Sequence, residues 1–134
     1  MSIQRRRVVV TGLGAVTPLA LTVEETWQGL VAGQSGVDWV KQIPPEVLAR
    51  FPTRIAGEVK GFDPRNYMEF RDAKRMGRFS QFAVAAAGQA ITDSGLVITP
   101  ENAERIGVII GVGMGGMIDT ENAVKTLVER GPMH

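Results

Sequence analysis

Two glycine-rich stretches, one cluster of cations and very few nucleophiles are what this sequence offers to chemistry. Gly12-Leu13-Gly14-Ala15-Val16-Thr17 follows a β-branched run, the setting in which a dinucleotide-binding turn brings glycine backbone up to a pyrophosphate. Thr17 stands in the third glycine's place, Pro18 follows, and the next helix signal comes only near Val23. A helix N-terminus that late cannot face a phosphate held at Gly14, so the spacing favours a packing turn.

The second stretch, Gly111-Val112-Gly113-Met114-Gly115-Gly116, allows positive backbone angles and close approach of a backbone or ligand. A phosphate loop needs Gly-Lys-Ser or Gly-Lys-Thr next, and Met117-Ile118 follows instead. A tight turn into a helix and a ligand-lining segment remain equally open. Met114 suits an acyl chain better than a phosphate, because an unbranched thioether fills irregular apolar space.

Arg71, Lys74, Arg75 and Arg78 gather four cations in a short stretch, with Lys74 and Arg78 one helical turn apart. Composition favours a solvated helix face, and the sharper alternative is a docking patch for an acidic partner. Ser35, in Gly33-Gln34-Ser35-Gly36, lacks the frame of a nucleophile elbow and has no upstream histidine to activate it. His134 is the sole histidine and stands without an evident partner, and the acidic residues show no metal-ligand spacing. No catalytic residue is legible, and no cofactor or metal is expected.

Composition narrows the class further. The chain is 44% hydrophobic and 22% charged, which suits a soluble globular domain. Fifteen basic residues against 14 acidic ones give a net charge of +1, without the basic excess that nucleic-acid binding requires. Cysteine is absent, which excludes disulfides, thiolate metal sites and a cysteine nucleophile among these residues. No signal-peptide core and no apolar run of roughly 18 residues is present, so a cytosolic protein without a membrane span is the expectation.

The elements that must position these residues alternate in type. Arg7 to Gly12 and Ile106 to Gly111 read as strands buried on both faces, being continuous and rich in valine and isoleucine. Thr22 followed three residues on by Glu25 marks a capping-box start, and Gly33 a stop, for a helix carrying Trp27, Leu30 and Val31. Pro44, Pro45 and Pro52 predict an irregular excursion over 34–52 with one short helix near Glu46 to Arg50. Arg54 to Lys60 alternates like a half-exposed strand.

From Asp72 to Ser94, Met76, Phe79, Ala83, Ala86, Ala87, Ala90 and Ile91 recur at helical spacing, and Gly95 ends the pattern. The low bulk of its alanines predicts close packing on another element. Thr99-Pro100-Glu101 begins a short helix, and Ile118, Val124, Leu127 and Val128 mark a last one closing at Gly131-Pro132. This order predicts one α/β domain over 1–134 with a largely parallel sheet and helices packed on it.

Read together, Arg7-Val8-Val9-Val10-Thr11-Gly12-Leu13-Gly14, Thr17-Pro18-Leu19, Trp27 to Leu30 and Gly33-Gln34-Ser35-Gly36 resemble the start of β-ketoacyl-[acyl-carrier-protein] synthases, most closely the synthase II type. The likeness continues through Phe62-Asp63-Pro64, Tyr67-Met68, Asp72-Ala73-Lys74-Arg75-Met76, Asp93-Ser94-Gly95-Leu96, Arg105-Ile106-Gly107-Val108, Gly111 to Gly116 and Glu129-Arg130-Gly131-Pro132. Essentially the whole chain is covered.

The resemblance implies the N-terminal part of a thiolase-like fold and a decarboxylating Claisen condensation of an acyl group with malonyl-carrier protein in fatty-acid elongation. It implies a nucleophilic cysteine and two histidines beyond His134, so the isolated chain is expected to be inactive. It assigns Met114 to the acyl pocket and Arg71, Lys74 and Arg75 to docking of the acidic acyl-carrier protein. It also implies a homodimer at full length. Met133 and His134 replace a basic pair common in relatives, and Ala20 and Leu21 replace a glycine and asparagine. A non-catalytic α/β module that binds carrier protein or a synthase is the alternative reading.

Overall fold

The computed structural model of the protein describes residues 6–132. The chain forms two compact units, Met1–Lys60 with Ala86–Val97, and Gly61–Ala85 with Ile98–His134. In chain order the elements are α1 (Val23–Val31), β1 (Asp38–Trp39), α2 (Pro45–Leu48), β2 (Ile55–Ala56), α3 (Phe70–Ala73), α4 (Arg78–Ser94) and α5 (Met117–Arg130). Single 3₁₀ turns occupy Pro64–Asn66 and Ala103–Arg105.

In the first unit, the turn at residues 12–15 lies across the backbone of α4. A Cβ on Gly14 would run into the Ala86 carbonyl oxygen and stand 2.9 Å from the Ala90 nitrogen. One on Gly12 would run into the Ala90 carbonyl oxygen and stand 2.6 Å from the Ser94 nitrogen. The alanines of α4 leave room for this approach, as their spacing predicts, and side chains of the same helix secure it. Asp93 accepts the Leu13 N–H at 2.8 Å and Gln89 the Ala15 N–H at 3.1 Å. The Gln89 amide also donates to the Leu21 carbonyl at 2.7 Å.

Beyond this turn, the Thr17 hydroxyl accepts the N–H groups of Leu19 and Ala20, a local turn that delivers the chain to α1. Thr22 caps that helix: its hydroxyl accepts the Glu25 N–H at 3.3 Å and donates to the Glu25 carboxylate at 2.9 Å. Gly33, at φ +68°, ends it. Pro18 packs against Gly36 and Gly57, whose added Cβ atoms would stand 2.8 and 3.0 Å from its ring.

β1 and β2 pair antiparallel, Asp38 with Ala56 and Trp39 with Ile55. The Glu58 carboxylate, accepting the Lys41 and Gln42 N–H groups, closes the hairpin. Lys41 holds the Asp38 carboxyl below the usual carboxylate range, chiefly by a hydrogen bond to it. The alternating Arg54 to Lys60 stretch thus contains a strand, but only at Ile55–Ala56, and its partner at Asp38–Trp39 falls in the region expected to be irregular.

In the second unit, Phe62 is the most enclosed aromatic residue, at 7% exposure. It stacks on Tyr67 at 5.2 Å between centroids and meets Phe82 edge-on at 4.9 Å. The helix expected over Asp72 to Ser94 is broken in two. α3 ends at Ala73, and α4 starts at Arg78 after Gly77. Glycine weakens a helix interior, and at this one the Asp119 carboxylate fills the space a side chain would take. Asp63 accepts the Arg65 N–H and its guanidinium, which holds its carboxyl down at about 2. The expected helix start at Thr99-Pro100 yields one 3₁₀ turn.

The largely parallel sheet is not present among the described residues, where the one sheet is the two-stranded antiparallel hairpin. Arg7 to Gly12 and Ile106 to Gly111, expected as buried strands, pair with no neighbour and are solvent-facing: Val8 is 90% and Ile109 99% exposed. A β-branched run becomes a strand only when partners flank it, and no described segment does. Total accessible surface is 11409 Å², against about 6,900 Å² for a folded monomer of this mass. The described residues therefore leave much apolar surface uncovered. Among the described residues no helix is long and apolar enough to cross a membrane.

Candidate functional site

The residues singled out for function, Arg71, Lys74, Arg75 and Met114, all belong to the second unit. Arg71 lies on the single turn of α3, and Lys74 and Arg75 follow it directly. All three are exposed, and among the described residues none makes an ion pair. Spacings of three and four from Arg71 bring the cations to one side of the turn. The Lys74 ammonium stands 4.7 Å above the Phe70 ring, which keeps its stem in place while the charge stays in water.

Arg78, counted with them in the sequence, does different work. Its guanidinium sits 4.8 Å from the Phe62 centroid and 4.9 Å from that of Phe82, and it donates to the Phe62 carbonyl at 3.4 Å. Its charge is committed to the aromatic cluster, which leaves a cationic patch of three. Phe62 and Phe82 lie 20 residues apart, and helical periodicity carries no trace of that contact.

Met114 projects from the second glycine-rich turn at 77% exposure. Gly115 takes φ +63°, a backbone angle glycine adopts freely, and α5 begins at Met117. Gly115 and Gly116 press on Phe79, and together with Phe82, Met117 and Ile118 they line an open apolar cleft of about 360 Å³. Arg78 and Asp119 are its charged rim. Met114 adjoins the cleft in sequence without lining it. The second glycine-rich stretch is thus a turn into a helix, beside a mainly apolar cleft.

The first glycine-rich turn is packed against the α4 backbone at Gly12 and Gly14. This bears out the packing reading. Among the described residues there is no His, Cys, Asp or Glu group able to hold a metal ion. Ser35 takes part in a local turn, accepting the Val37 N–H at 3.1 Å. Met133 and His134 lie outside the described residues.

This architecture is found in solved structures. The chain aligns over 95% of its length, with TM-score 0.74 and 31% identity, to 31% of a chain described as the ishigamide ketosynthase/chain length factor. Its fold is that of part of a thiolase-like ketosynthase. In sequence it is 48% identical over 128 residues to the 3-oxoacyl-[acyl-carrier-protein] synthase 2 of Vibrio cholerae, covering 96% of this chain and 30% of that protein. It is 44% identical over 131 residues to the enzyme of the same name from Synechocystis, covering 98% and 31%, and 40% identical over 129 residues to that of Staphylococcus aureus, covering 96% and 30%. Residues 5–133 match the family described as beta-ketoacyl synthase, N-terminal domain, and the chain belongs to that family. It spans about 30% of the length of these curated relatives.

Proposed function

We propose that these residues form the N-terminal segment of a 3-oxoacyl-[acyl-carrier-protein] synthase that elongates fatty acids. An acyl group passes from carrier thiol to an enzyme cysteine. Malonyl-carrier protein then loses carbon dioxide, and the resulting carbanion attacks the acyl thioester and expels the cysteine thiolate. This chain contains no cysteine, so the nucleophile lies outside these residues, and the two histidines that assist it are assigned there with it. What the segment contributes is a docking patch at Arg71, Lys74 and Arg75 for the acidic carrier protein, and Met114 as a wall of the acyl pocket.

We assign Arg7 to Gly12 and Ile106 to Gly111 to a parallel sheet completed by other parts of the full-length synthase, which acts as a cytosolic homodimer. Their exposed β-branched side chains support this. The observation that carries the functional reading is the match to synthase 2 enzymes along 96% of the chain. Charge reversal at Lys74 and Arg75 in the full-length synthase tests it. Surface charges govern encounter and orientation of a charged partner, so the KM for carrier-bound substrate is expected to rise about tenfold at low salt and less in ~0.5 M salt. An unchanged carrier KM at low salt overturns the docking assignment.

A further inference from the structure

The three docking cations stand on a piece of chain too short to hold itself. α3 is a single turn of four residues, and an isolated turn of that length is far below what a helix needs to persist in water. Its final carbonyls have no partner within the helix. The long helix beside it supplies one. The Gln81 side chain of α4 donates one amide hydrogen to the Ala73 carbonyl at 2.8 Å and the other to the Met76 carbonyl at 3.2 Å.

Those two carbonyls bracket Lys74 and Arg75, and Ala73 is buried at the point of contact. The competing backbone donor to Ala73, the Met76 N–H, is longer at 3.4 Å. Gln81 is itself part-buried and anchored in a 17-residue helix, so the bracket has a firm base. We propose that Gln81 is a positioning residue for carrier-protein docking, fixing the backbone from which Arg71, Lys74 and Arg75 meet their anionic partner. The proposal rests on the docking reading above.

The test is Gln81→Met in the full-length synthase, which keeps length and bulk but removes both donors. Acyl groups are supplied either on carrier protein or on a small pantetheine thioester that does not use the patch. The KM for the carrier-bound substrate is expected to rise about tenfold, equivalent to about 1.4 kcal/mol of docking, with kcat and the KM for the small thioester unchanged. Gln81→Asn keeps the amide but loses one methylene of reach, hence one of the two bonds, and gives a smaller rise of about threefold. It also serves as the test if the methionine variant does not fold.

Equal rises for both substrates indicate a merely structural role and overturn the inference, as does an unchanged carrier KM. Charge reversal at Lys74 and Arg75 runs in parallel. If reversal raises the carrier KM and the Gln81 variants do not, positioning fails while docking stands. If reversal has no effect, docking fails and takes the Gln81 inference with it, whatever the Gln81 variants do.

Discussion

Replacing Gly14 by alanine isolates the close approach that holds the first turn on α4. The backbone at Gly14 is outside the left-handed region, so the substitution introduces no conformational strain of its own. Its methyl group, however, would overlap the Ala86 carbonyl oxygen. That oxygen belongs to a helix backbone and cannot swing away, so the turn must lift instead. Overpacking of this kind costs about 1–3 kcal/mol. Lifting also breaks the two part-buried Gln89 bonds, to Ala15 and Leu21, at about 1 kcal/mol each.

The sum is about 3–5 kcal/mol, with the solvent-exposed Asp93 bond left out. Local opening is then favoured a hundredfold or more, on the conversion of about 1.4 kcal/mol per factor of ten. Hydrogen–deuterium exchange in the full-length synthase reads this directly through the peptide covering residues 12–21, whose Leu13 and Ala15 amides are the ones Asp93 and Gln89 protect. Gly88→Ala is the control, because Gly88 is exposed and nothing lies within 4 Å of the added carbon there. Exchange at 12–21 that differs by less than about threefold between the two variants refutes the close-packing account.

Four further outcomes are expected. Thr22→Ala removes the cap of α1 and costs about 1 kcal/mol, seen as faster exchange at the Glu25 amide; no change there speaks against the cap. The Asp63 carboxyl, held at about 2 by Arg65, contributes to its turn fully above pH ~4 and loses that contribution as pH falls through about 2. A carbon-13 NMR titration midpoint near 4 contradicts this. Met114→Phe in the full-length synthase narrows the acyl pocket and lowers kcat/KM for long chains relative to short ones; an unshifted preference removes Met114 from the pocket. The 134-residue chain purified alone is expected to aggregate and bind hydrophobic dyes, and a monomeric, cooperatively melting chain contradicts the uncovered-surface reading.

Local signals in the sequence were sound where neighbours in the chain decide the outcome. The Thr22 cap, the stops at Gly33 and Gly95, and the final helix up to Gly131 follow from capping and positive-φ chemistry within a few residues. The alanine face of α4 foretold a close packing partner without revealing that Gly12 and Gly14 supply it. Helical spacing ran smoothly through Gly77 because periodicity does not register a carboxylate arriving from Asp119, 42 residues later. The β-branched runs Val8 to Val10 and Val108 to Ile110 predict burial, but burial depends on flanking strands that the described residues do not contain. At the candidate site, Arg71, Lys74 and Arg75 were legible as charge. The diversion of Arg78 onto two rings and the bracket formed by Gln81 were not, being side-chain contacts between elements.

The bare valine and isoleucine runs also bear on how such a protein is made. In the curated relatives these residues make up about 30% of the length, so most of such a relative is still to be synthesised when the matching segment is complete. Until flanking strands arrive, Val8 to Val10 and Val108 to Ile110 have nothing among the described residues to pair them. Unpaired β-branched runs of this kind are the surfaces along which a partly made chain aggregates.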